Sequence, residues 1–386
     1  MNNSTYDVVV VGAGVFGAWT AYQLQHSGQR VILIDAHGPG HSRSSSGGES
    51  RIIRMGYGAD EIYTRSAQRA LRLWQELFAR IDQRLFHRTG MLWLAHEDDP
   101  YPGQCAETLE RLAIPFEKLT TSEVRQRYPQ IGLDRISWAL FEPDSGVLVA
   151  RRAVQAVTFV ATKTGVEYLQ DAVRPPDGSA IRGKLGHIET VSARRISAAN
   201  YVFACGPWLP KMFPDLLSDR IHPTRQEVFF FGTPAGQSFA PPSLPTWIDF
   251  NDEAYGLPDL DGRGVKIAID RHGPAFDPDT GDRIVTAGGL DEVRRCLARR
   301  LPALRDAPVI ETRVCQYENT ANGDFLVDLH PQFDNVWLVG GGSGHGFKHG
   351  PVVGEYVAAR VAGSTEGIES RFSLETKTRD HKRTVF

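Results

Sequence analysis

Short runs of consecutive apolar residues alternate along the chain with segments of helical periodicity. The first run covers residues 7–11 and ends in a glycine turn, and similar runs at 200–206 and 335–340 also end in glycine. Short, β-branched apolar runs with these boundaries are typical of buried strands in a parallel sheet. We therefore predict that these widely separated strands belong to one sheet.

Helices are predicted where apolar residues recur at intervals of three or four positions. The segment 62–81 has this spacing and indicates an amphipathic helix. Further helices are predicted at Ala18–His26, 150–164, 290–301 and 352–362. The Gly/Ser-rich segment 37–50 has neither periodicity and is predicted to be a loop. The last residues, about 20 of them, are predicted to form a peripheral polar tail.

The order of these elements predicts two domains, each assembled from discontinuous segments. The predicted fold class is α/β and α+β, with a Rossmann-like nucleotide-binding domain and a substrate domain that has a mixed or antiparallel sheet. The first domain is predicted at 1–87, 145–218 and 322–370. The second is predicted at 88–144 and 219–321, followed by a C-terminal tail at 371–386.

Composition and charge exclude several classes of protein. The chain is 41% hydrophobic with a net charge of −3 and no dense Lys/Arg run, which argues for a globular protein that does not bind nucleic acid. It has no long apolar run typical of a membrane span and no secretory signal pattern. The four cysteines are far apart, so we predict a cytoplasmic protein without a disulfide framework or a bound metal.

A glycine motif follows the first predicted strand. Gly12-x-Gly14-x-x-Gly17 precedes a helix, and Asp35 ends the next strand, 18 residues after Gly17. Glycines let the backbone approach a pyrophosphate, and the amides at the start of the helix stabilise its charge. An acid at the end of the second strand can bind a ribose. The complete strand–turn–helix–strand pattern therefore predicts a dinucleotide site.

Three further features carry candidate chemistry. Arg51 and Arg54 could hold a phosphate, a flavin edge or a substrate carboxylate, although taken alone they are more simply interpreted as surface arginines. The segment 340–348 has five glycines in seven residues and ends in Lys348, which indicates close approach to a planar or anionic group, or else a plain turn. Cys315, taken alone, is typical of a small buried hydrophobe.

Motifs spread along the chain occur in the order and at the spacing of a known family. They are Val9–Gly14, Arg51–Tyr57, Phe141–Val147, Cys315–Tyr317 with Phe325–Pro331, and Ser343–Lys348. On these motifs the chain resembles the monomeric sarcosine oxidase and N-methyltryptophan oxidase family, within the D-amino-acid-oxidase-like flavoproteins. The resemblance implies an FAD-binding domain and oxidation of a C–N bond in an amine or amino acid.

The resemblance also implies roles for individual residues. Cys315 forms a thioether to the flavin, Lys266 activates dioxygen, and Arg51 lies beside the flavin ring. The predicted catalytic residues, which include a carboxylate-binding pair (Arg54, Lys348) and two cavity-lining tyrosines (Tyr255, Tyr317), are Lys266, Arg51, Arg54, Lys348, Asp270, Tyr255 and Tyr317. The predicted cofactor contacts are Gly12, Gly14, Phe16, Gly17, Asp35, Ser42, Arg43, Arg51, Cys315, Gly342, Gly344, His345, Gly346 and Lys348.

The chain departs from the family at two places. Ser46 and Gly47 stand where the family has adjacent histidines, and Asp270, with His272 nearby, stands where it has another active-site histidine. These changes argue against simple sarcosine specificity, and an acid in place of a base suggests an extra cation on the substrate or altered tuning of its amine.

We predict a monomeric oxidase that acts on a secondary or cyclic amino acid, with dioxygen as acceptor and hydrogen peroxide as product. One alternative is a flavin dehydrogenase that passes electrons to a carrier. Another is a biosynthetic amine oxidase acting on a pipecolate-, saccharopine-, opine- or glycated-amino-acid-like substrate. A third is a flavin-bearing subunit without turnover of its own.

Overall fold

A computed structural model describes residues 6–176, 180–181, 183–235 and 238–379 of the chain. Within these residues the first apolar run forms the strand Tyr6–Val11, inside a six-stranded sheet. It pairs in parallel with Val31–Asp35 on one side and with Ala198–Phe203 on the other. Phe333–Gly340 pairs in parallel with Ala198–Phe203. The prediction that the glycine-ended strands share one sheet is therefore confirmed. The remaining strands of this sheet are Glu167–Gln170 and Leu326–His330.

A second sheet, of eight strands among the described residues, is mixed. Thr246–Asp249 and Met91–Ala95 pair in parallel, while the other neighbours pair antiparallel. In spatial order its strands are Val309–Thr320, Ile221–Phe231, Val265–Ile269, Ala254–Leu257, Thr246–Asp249, Met91–Ala95, Trp138–Glu142 and Glu117–Thr120. The predicted fold class is confirmed, and the domain boundaries stay a prediction.

Smaller strands complete the architecture. A three-stranded sheet contains Arg51–Ile53, Gly146–Leu148 and Phe86–His87, and short ribbons pair Ala180–Ile181 with Lys184–Leu185 and Ile188–Glu189 with Arg195–Ile196. The antiparallel pairing of Arg51–Ile53 with Gly146–Leu148 fixes the backbone on which Arg51 and Arg54 are carried.

The described α-helices are Val15–His26, Glu61–Arg80, Tyr101–Arg111, Thr121–Arg127, Ala150–Lys163, Leu209–Met212, Pro214–Leu217, Ala287–Arg300 and Gly350–Val361. Three of them begin two or three residues before the predicted start, and each of these has glycine in its first turn. The first begins at Val15 rather than Ala18 because Gly17 belongs to the helix. In a sequence, glycine indicates a turn, so a helix that begins with glycine in its first turn is predicted to start too late.

The C-terminal segment packs more closely than predicted. Short 3-10 helices cover Ser370–Phe372 and Leu374–Thr376, and both Phe372 and Leu374 are buried. Lys377 is fully buried, and its Nζ donates to the Arg371 carbonyl at 2.6 Å. The prediction of a peripheral tail is therefore wrong for residues 371–377, where apolar anchors hold a polar sequence in place.

No helix in the described part of the chain is both long enough and apolar enough to cross a membrane. The predicted cytoplasmic location and monomeric state stay predictions.

Candidate active site

A cavity of about 360 Å³ lies along the glycine turn that follows the first strand. Its walls also come from the loop 36–46, from residues 316–318 of a strand of the second sheet, and from the loop after the last strand. The predicted cofactor contacts that line it are Gly12, Gly14, Phe16, Asp35, Arg51, Gly342, Gly344 and Gly346. The structure thus brings most of the predicted dinucleotide residues to one elongated site.

The glycine turn is tight for a steric reason. Gly12 has a φ of +105°, and a Cβ on it would lie 2.3 Å from the Ala204 carbonyl oxygen. A Cβ on Gly17 would lie 1.8 Å from the Gly12 carbonyl oxygen. Both positions therefore exclude any side chain, so a pyrophosphate could approach the backbone closely at the positively polarised start of the helix.

Asp35 borders the same cavity and accepts backbone hydrogen bonds. Its carboxylate accepts from Ala13 N at 2.7 Å, from His37 N at 2.8 Å and from Gly38 N at 2.7 Å. A carboxylate has about four lone-pair positions, so one remains for a ribose hydroxyl. Asp35 therefore also fixes the loop that leads away from the glycine turn.

Among the predicted cofactor contacts, Gly17, Ser42 and Arg43 do not line the cavity. The Arg43 guanidinium instead donates to the Asp279 carbonyl at 3.3 Å. The wall in this stretch is formed by Ser44, Ser45 and Ser46. Ser46 Oγ accepts from Val15 N at 3.0 Å and so caps the first helix from a distant loop, a contact with no sequence signature.

Glu318 also lines this cavity, although it is not among the predicted cofactor contacts. Gly342 N donates to Glu318 Oε1 at 3.3 Å, whereas Oε2 is buried and has no hydrogen-bond partner among the described residues. Burial raises the pKa of Glu318 to about 7. Buried polar atoms are nearly always satisfied, so this oxygen fits a site that a polar ligand completes. Together with the side-chain-free glycine turn, this matches the needs of FAD.

A smaller cavity of about 90 Å³ adjoins the larger one, and Arg51, Tyr317, Gly344 and Phe347 line both. Every predicted catalytic residue lines the smaller cavity, as do Cys315 and His345: Arg51, Arg54, Tyr255, Lys266, Asp270, Tyr317 and Lys348. These residues come from the three-stranded sheet and the turn that follows it, from the eight-stranded sheet, and from the glycine loop, so only the folded chain brings them together.

Arg54 and Lys348 place a buried guanidinium and a buried amino group in this smaller cavity, at 6% and 5% exposure. Arg54 Cζ lies 4.3 Å from the centre of the Tyr57 ring, and Lys348 Nζ donates to the Tyr57 hydroxyl at 2.9 Å. Burial and the nearby Arg54 hold the pKa of Lys348 well below its usual range. A buried arginine and lysine that face one cavity suit a carboxylate ligand.

Glu142 holds the turn that carries Arg54. Its carboxylate accepts from Met55 N at 2.7 Å, from Gly56 N at 3.0 Å and from Trp93 Nε1 at 2.7 Å. Arg54 Nη1 in turn donates to the Gly56 carbonyl. The sequence showed Glu142 only as part of a family motif, because its partners are remote along the chain.

Lys266 occupies another wall of the smaller cavity. It is 4% exposed, and its Nζ donates to the Ser50 carbonyl at 3.0 Å. Burial, together with the charge of Arg51, lowers the pKa of Lys266 to about 7. Its charge is therefore sensitive to whatever lies beside it.

Cys315 Sγ is held against a guanidinium group. Arg51 Nη2 donates to it at 3.3 Å and to the Ser45 carbonyl at 2.6 Å, while Nη1 donates to the Ser50 carbonyl at 2.9 Å. These hydrogen bonds hold the Arg51 guanidinium, and with it the Cys315 sulfur, in a fixed position in the site. Arg51 is therefore a half-buried, hydrogen-bonded part of the site rather than a solvated surface arginine.

Asp270 is bound to one of the predicted tyrosines. The Tyr317 hydroxyl donates to Asp270 Oδ1 at 2.8 Å. Burial and the nearby Asp270 charge raise the pKa values of Tyr255 and Tyr317, so both stay neutral. The acid that replaces the family histidine thus faces the same cavity as Arg54 and Lys348.

A group of potential metal ligands lies elsewhere, in the second sheet. His96, Asp249 and Asp252 have ligand atoms within 4.8 Å of one another. Arg300 donates to Asp249 at 2.7 Å, and Arg299 is paired with Asp252. Arginines already supply the positive charge that these carboxylates need, so we interpret the cluster as a buried ion-pair network.

Comparison with known proteins agrees with this geometry. Residues 7–360 match the family described as FAD dependent oxidoreductase. The chain is 32% identical to the monomeric sarcosine oxidase of Arthrobacter sp. (strain TE1826), over 98% of each chain. It is 27% identical to the N-methyl-L-tryptophan oxidase of Citrobacter koseri, over 94% of this chain and 96% of that one. The solved L-proline dehydrogenase from P. horikoshii shares the fold, with a TM-score of 0.86 and 22% identity over 98% of this chain and 99% of that one. The resemblance found from the motifs is confirmed.

Proposed function

Because the chain belongs to the FAD-dependent oxidoreductase family, we propose that it oxidises a C–N bond of an N-substituted or cyclic amino acid and passes the electrons to dioxygen. The observation that carries the proposal is the adjoining pair of cavities. One is built for a dinucleotide, and the other contains buried Arg54 and Lys348 beside Cys315 and Lys266.

The proposed roles follow from these positions. Arg54 and Lys348 bind the substrate carboxylate, and this fixes the α-carbon, since orientation supplies much of the rate of such reactions. Tyr255 and Tyr317 line the space around the substrate as neutral hydrogen-bonding groups. When bound, FAD would supply the hydride acceptor for the carbon next to nitrogen and the electrons for dioxygen, and the imine product would be hydrolysed by water.

Two roles concern the cofactor itself. We propose that Cys315 attaches the flavin as a thioether, because Cys315 lines the smaller cavity and its sulfur accepts a hydrogen bond from Arg51, which lines both cavities. We propose that Lys266 supplies the positive charge at which dioxygen is reduced, since a fixed ammonium stabilises a developing superoxide. Glu318 and the amides near Gly12 and Gly14 hold the nucleotide part.

Asp270 favours a second, narrower candidate. A carboxylate in the cavity, bound to Tyr317, suits a substrate with a cation beyond its amino-acid group. Two alternatives therefore remain to be tested. One is a biosynthetic oxidase that acts on a pipecolate-, saccharopine-, opine- or glycated-amino-acid-like compound, and the other is a dehydrogenase that uses a carrier in place of dioxygen.

The experiment is an anaerobic titration followed by admission of air. N-methyl, cyclic and N-carboxyalkyl amino acids are each offered beside the matching amine that lacks the carboxylate, and flavin bleaching and peroxide are measured. We expect bleaching by carboxylated substrates only, and Arg54→Met should remove this preference, whereas the control Arg88→Met on the surface should not. Slow recovery in air would favour a dehydrogenase. Colourless protein that binds no flavin, or equal bleaching by both members of each pair, would overturn the proposal.

A further inference from the structure

A chain of hydrogen bonds leads from the smaller cavity to Ser66 on the helix Glu61–Arg80. Lys348 Nζ, in the cavity wall, donates to the Tyr57 hydroxyl at 2.9 Å. The same hydroxyl lies 2.7 Å from His349 Nε2, and His349 Nδ1 lies 2.8 Å from Ser66 Oγ. Tyr57 and His349 are buried, whereas Ser66 is half-buried. We call these four residues the relay chain.

The hydrogen atoms of the relay chain have two consistent arrangements. His345 Nε2 lies 3.0 Å from the Gly323 carbonyl, which can only accept, so Nε2 carries the hydrogen and Nδ1 is an acceptor 3.3 Å from the Tyr57 hydroxyl. The Tyr57 hydrogen can therefore point to His345 or to His349. In the first case His349 Nε2 donates to Tyr57 and Ser66 donates to Nδ1. In the second case His349 Nδ1 donates to Ser66.

These two arrangements differ only in hydroxyl rotation and in the tautomer of His349. A neutral imidazole with one donor and one acceptor nitrogen is the side chain best suited to pass a proton between two partners. Each group in the relay chain is thus within hydrogen-bond distance of the next, which is the geometric requirement for proton transfer.

The proposed reaction needs such a path. An amino acid arrives with a protonated amine at neutral pH, and the amine must be neutral before its carbon can lose a hydride. The proton must then leave a cavity that is walled by buried side chains. We propose that the relay chain carries this proton from the substrate ammonium to solvent, and the inference rests on the function proposed above.

The transfer balances without any change in electrons. Lys348 Nζ takes the ammonium proton and gives a proton to the Tyr57 oxygen, and Tyr57 gives its own to His349 Nε2. His349 releases its Nδ1 proton through Ser66 to water. The substrate loses one proton, the solvent gains one, and each side chain ends neutral.

The surroundings of the relay chain favour neutral carriers. Burial, together with neighbouring positive groups, holds the pKa values of Lys348 and His349 well below their usual ranges. The aromatic or positively charged groups beside Tyr57 and His349 are Arg54, His345 and Tyr63, and the Tyr63 hydroxyl is bound to Asp324. Burial raises the pKa of Tyr57, and three carboxyl groups raise it further and so keep it neutral: Asp60, Glu142 and Asp270.

The test compares the holoenzyme with His349→Gln, which keeps a hydrogen-bonding side chain but cannot shuttle a proton. The substrate is the best bleaching amino acid from the panel above, mixed anaerobically in weak buffer with a pH-indicator dye. Flavin bleaching and proton appearance are followed together at neutral pH and again above the pKa of the substrate amine. The matched control is His330→Gln, because His330 is a buried histidine of the first sheet outside both cavities.

At neutral pH we expect His349→Gln to bleach about 10-fold to 100-fold more slowly than the parent, in the range that positioned proton transfer contributes. Above the pKa of the amine the substrate enters neutral, so the variant and the parent should bleach at the same rate. A purely structural defect would slow the variant at both pH values, and that result overturns the proposal. Equal rates at neutral pH overturn it as well.

Ser66→Ala provides a second variant if His349→Gln does not retain flavin, since Ser66 is half-buried and its loss leaves the cavity intact. In this variant proton appearance should lag behind bleaching at neutral pH, whereas in the parent the two coincide. Coincidence in Ser66→Ala would refute the path. If no amino acid bleaches the parent at any pH, both the proposed function and the relay are refuted. The flavin signal of the parent alone distinguishes this outcome from a failure of the relay only.

Discussion

Replacement of Glu142 by alanine removes one acceptor group from four buried donors. Oε2 accepts from Met55 N and from the Ser145 hydroxyl, while Oε1 accepts from Gly56 N and Trp93 Nε1. All four partners are donors, so the site is built for a carboxylate, and Glu142 is only 1% exposed. The alanine variant leaves these donors buried without partners and opens a cavity beneath the backbone that carries Arg54.

The magnitude follows from the cost of such donors. Each buried donor left without a partner costs about 1–3 kcal/mol. Water that enters the new cavity and relaxation of the surrounding backbone make the total smaller than the sum of four separate losses. Removing one side of a buried charged network costs about 3–5 kcal/mol, and we expect a loss of that size in the free energy of unfolding. Glu142→Gln keeps the volume but turns an amide NH2 toward N–H donors, so about 2–3 kcal/mol should be lost.

Urea unfolding of the holoenzyme measures the loss, with Glu110→Ala on the exposed face of a helix as the control, expected within about 0.5 kcal/mol of the parent. The Michaelis constant for a carboxylated substrate should also rise about 10-fold or more in Glu142→Gln, because Arg54 loses its fixed position. A change of less than about 1 kcal/mol in Glu142→Ala would show that the carboxylate does not organise this turn.

The remaining predictions concern the cofactor and the substrate. Lys266→Met should slow the reoxidation of reduced flavin by air far more than it slows flavin reduction. The pKa of Lys266 is lowered to about 7, so its positive charge is present below that pH. Reoxidation in the parent should therefore slow as the pH rises through about 7. Equal slowing of both half-reactions, seen by stopped-flow absorbance, would contradict the role. Cys315→Ala should release its yellow flavin on acid precipitation, whereas the parent and Cys296→Ala should stay yellow; free release from the parent would rule out the covalent link. Asp270→Asn should weaken binding of a substrate with a second cation about 10-fold, as expected for the loss of an ion pair of about 1.4 kcal/mol. Binding of sarcosine should change little, and the Michaelis constants of the two substrates measure both effects. An equal change for both substrates would show that Asp270 has a structural role.

The dinucleotide site was predictable because its constraints are local. Gly12, Gly14 and Gly17 and the acid Asp35 lie in one short stretch of sequence, and the constraint on Gly17 comes from Gly12 in the same turn. The constraint on Gly12 comes from Ala204, which the sequence does not reveal. The strands that end in glycine were predictable for a similar reason, since burial on both faces leaves a continuous apolar run. The starts of three helices were not, because their first turns contain glycine.

The positions of Arg51 and Arg54 illustrate what sequence pattern leaves open. Two arginines separated by two residues are compatible with a solvated strand, and only the resemblance placed them at a site. Arg54 is buried and Arg51 is half-buried. The turn after Arg54 is held by Glu142, which is 87 residues from its partner Met55, and Arg51 donates to the Cys315 thiol, 264 residues away. Contacts of this kind follow from how the sheets meet, and no local periodicity records them.

The arrangement of charge in the smaller cavity narrows the substrate further. Arg54 and Lys348 suit an anion, while Asp270, bound to Tyr317, contributes a carboxyl group to the same small space. A substrate with one carboxylate satisfies the cationic pair, but a second carboxylate, as in an opine or saccharopine, would have to lie beside Asp270 in a cavity of about 90 Å³. Like charges at such distances are costly where water is excluded. Among the alternatives, a cyclic or glycated amino acid with a single carboxylate therefore fits the cavity better than a dicarboxylate.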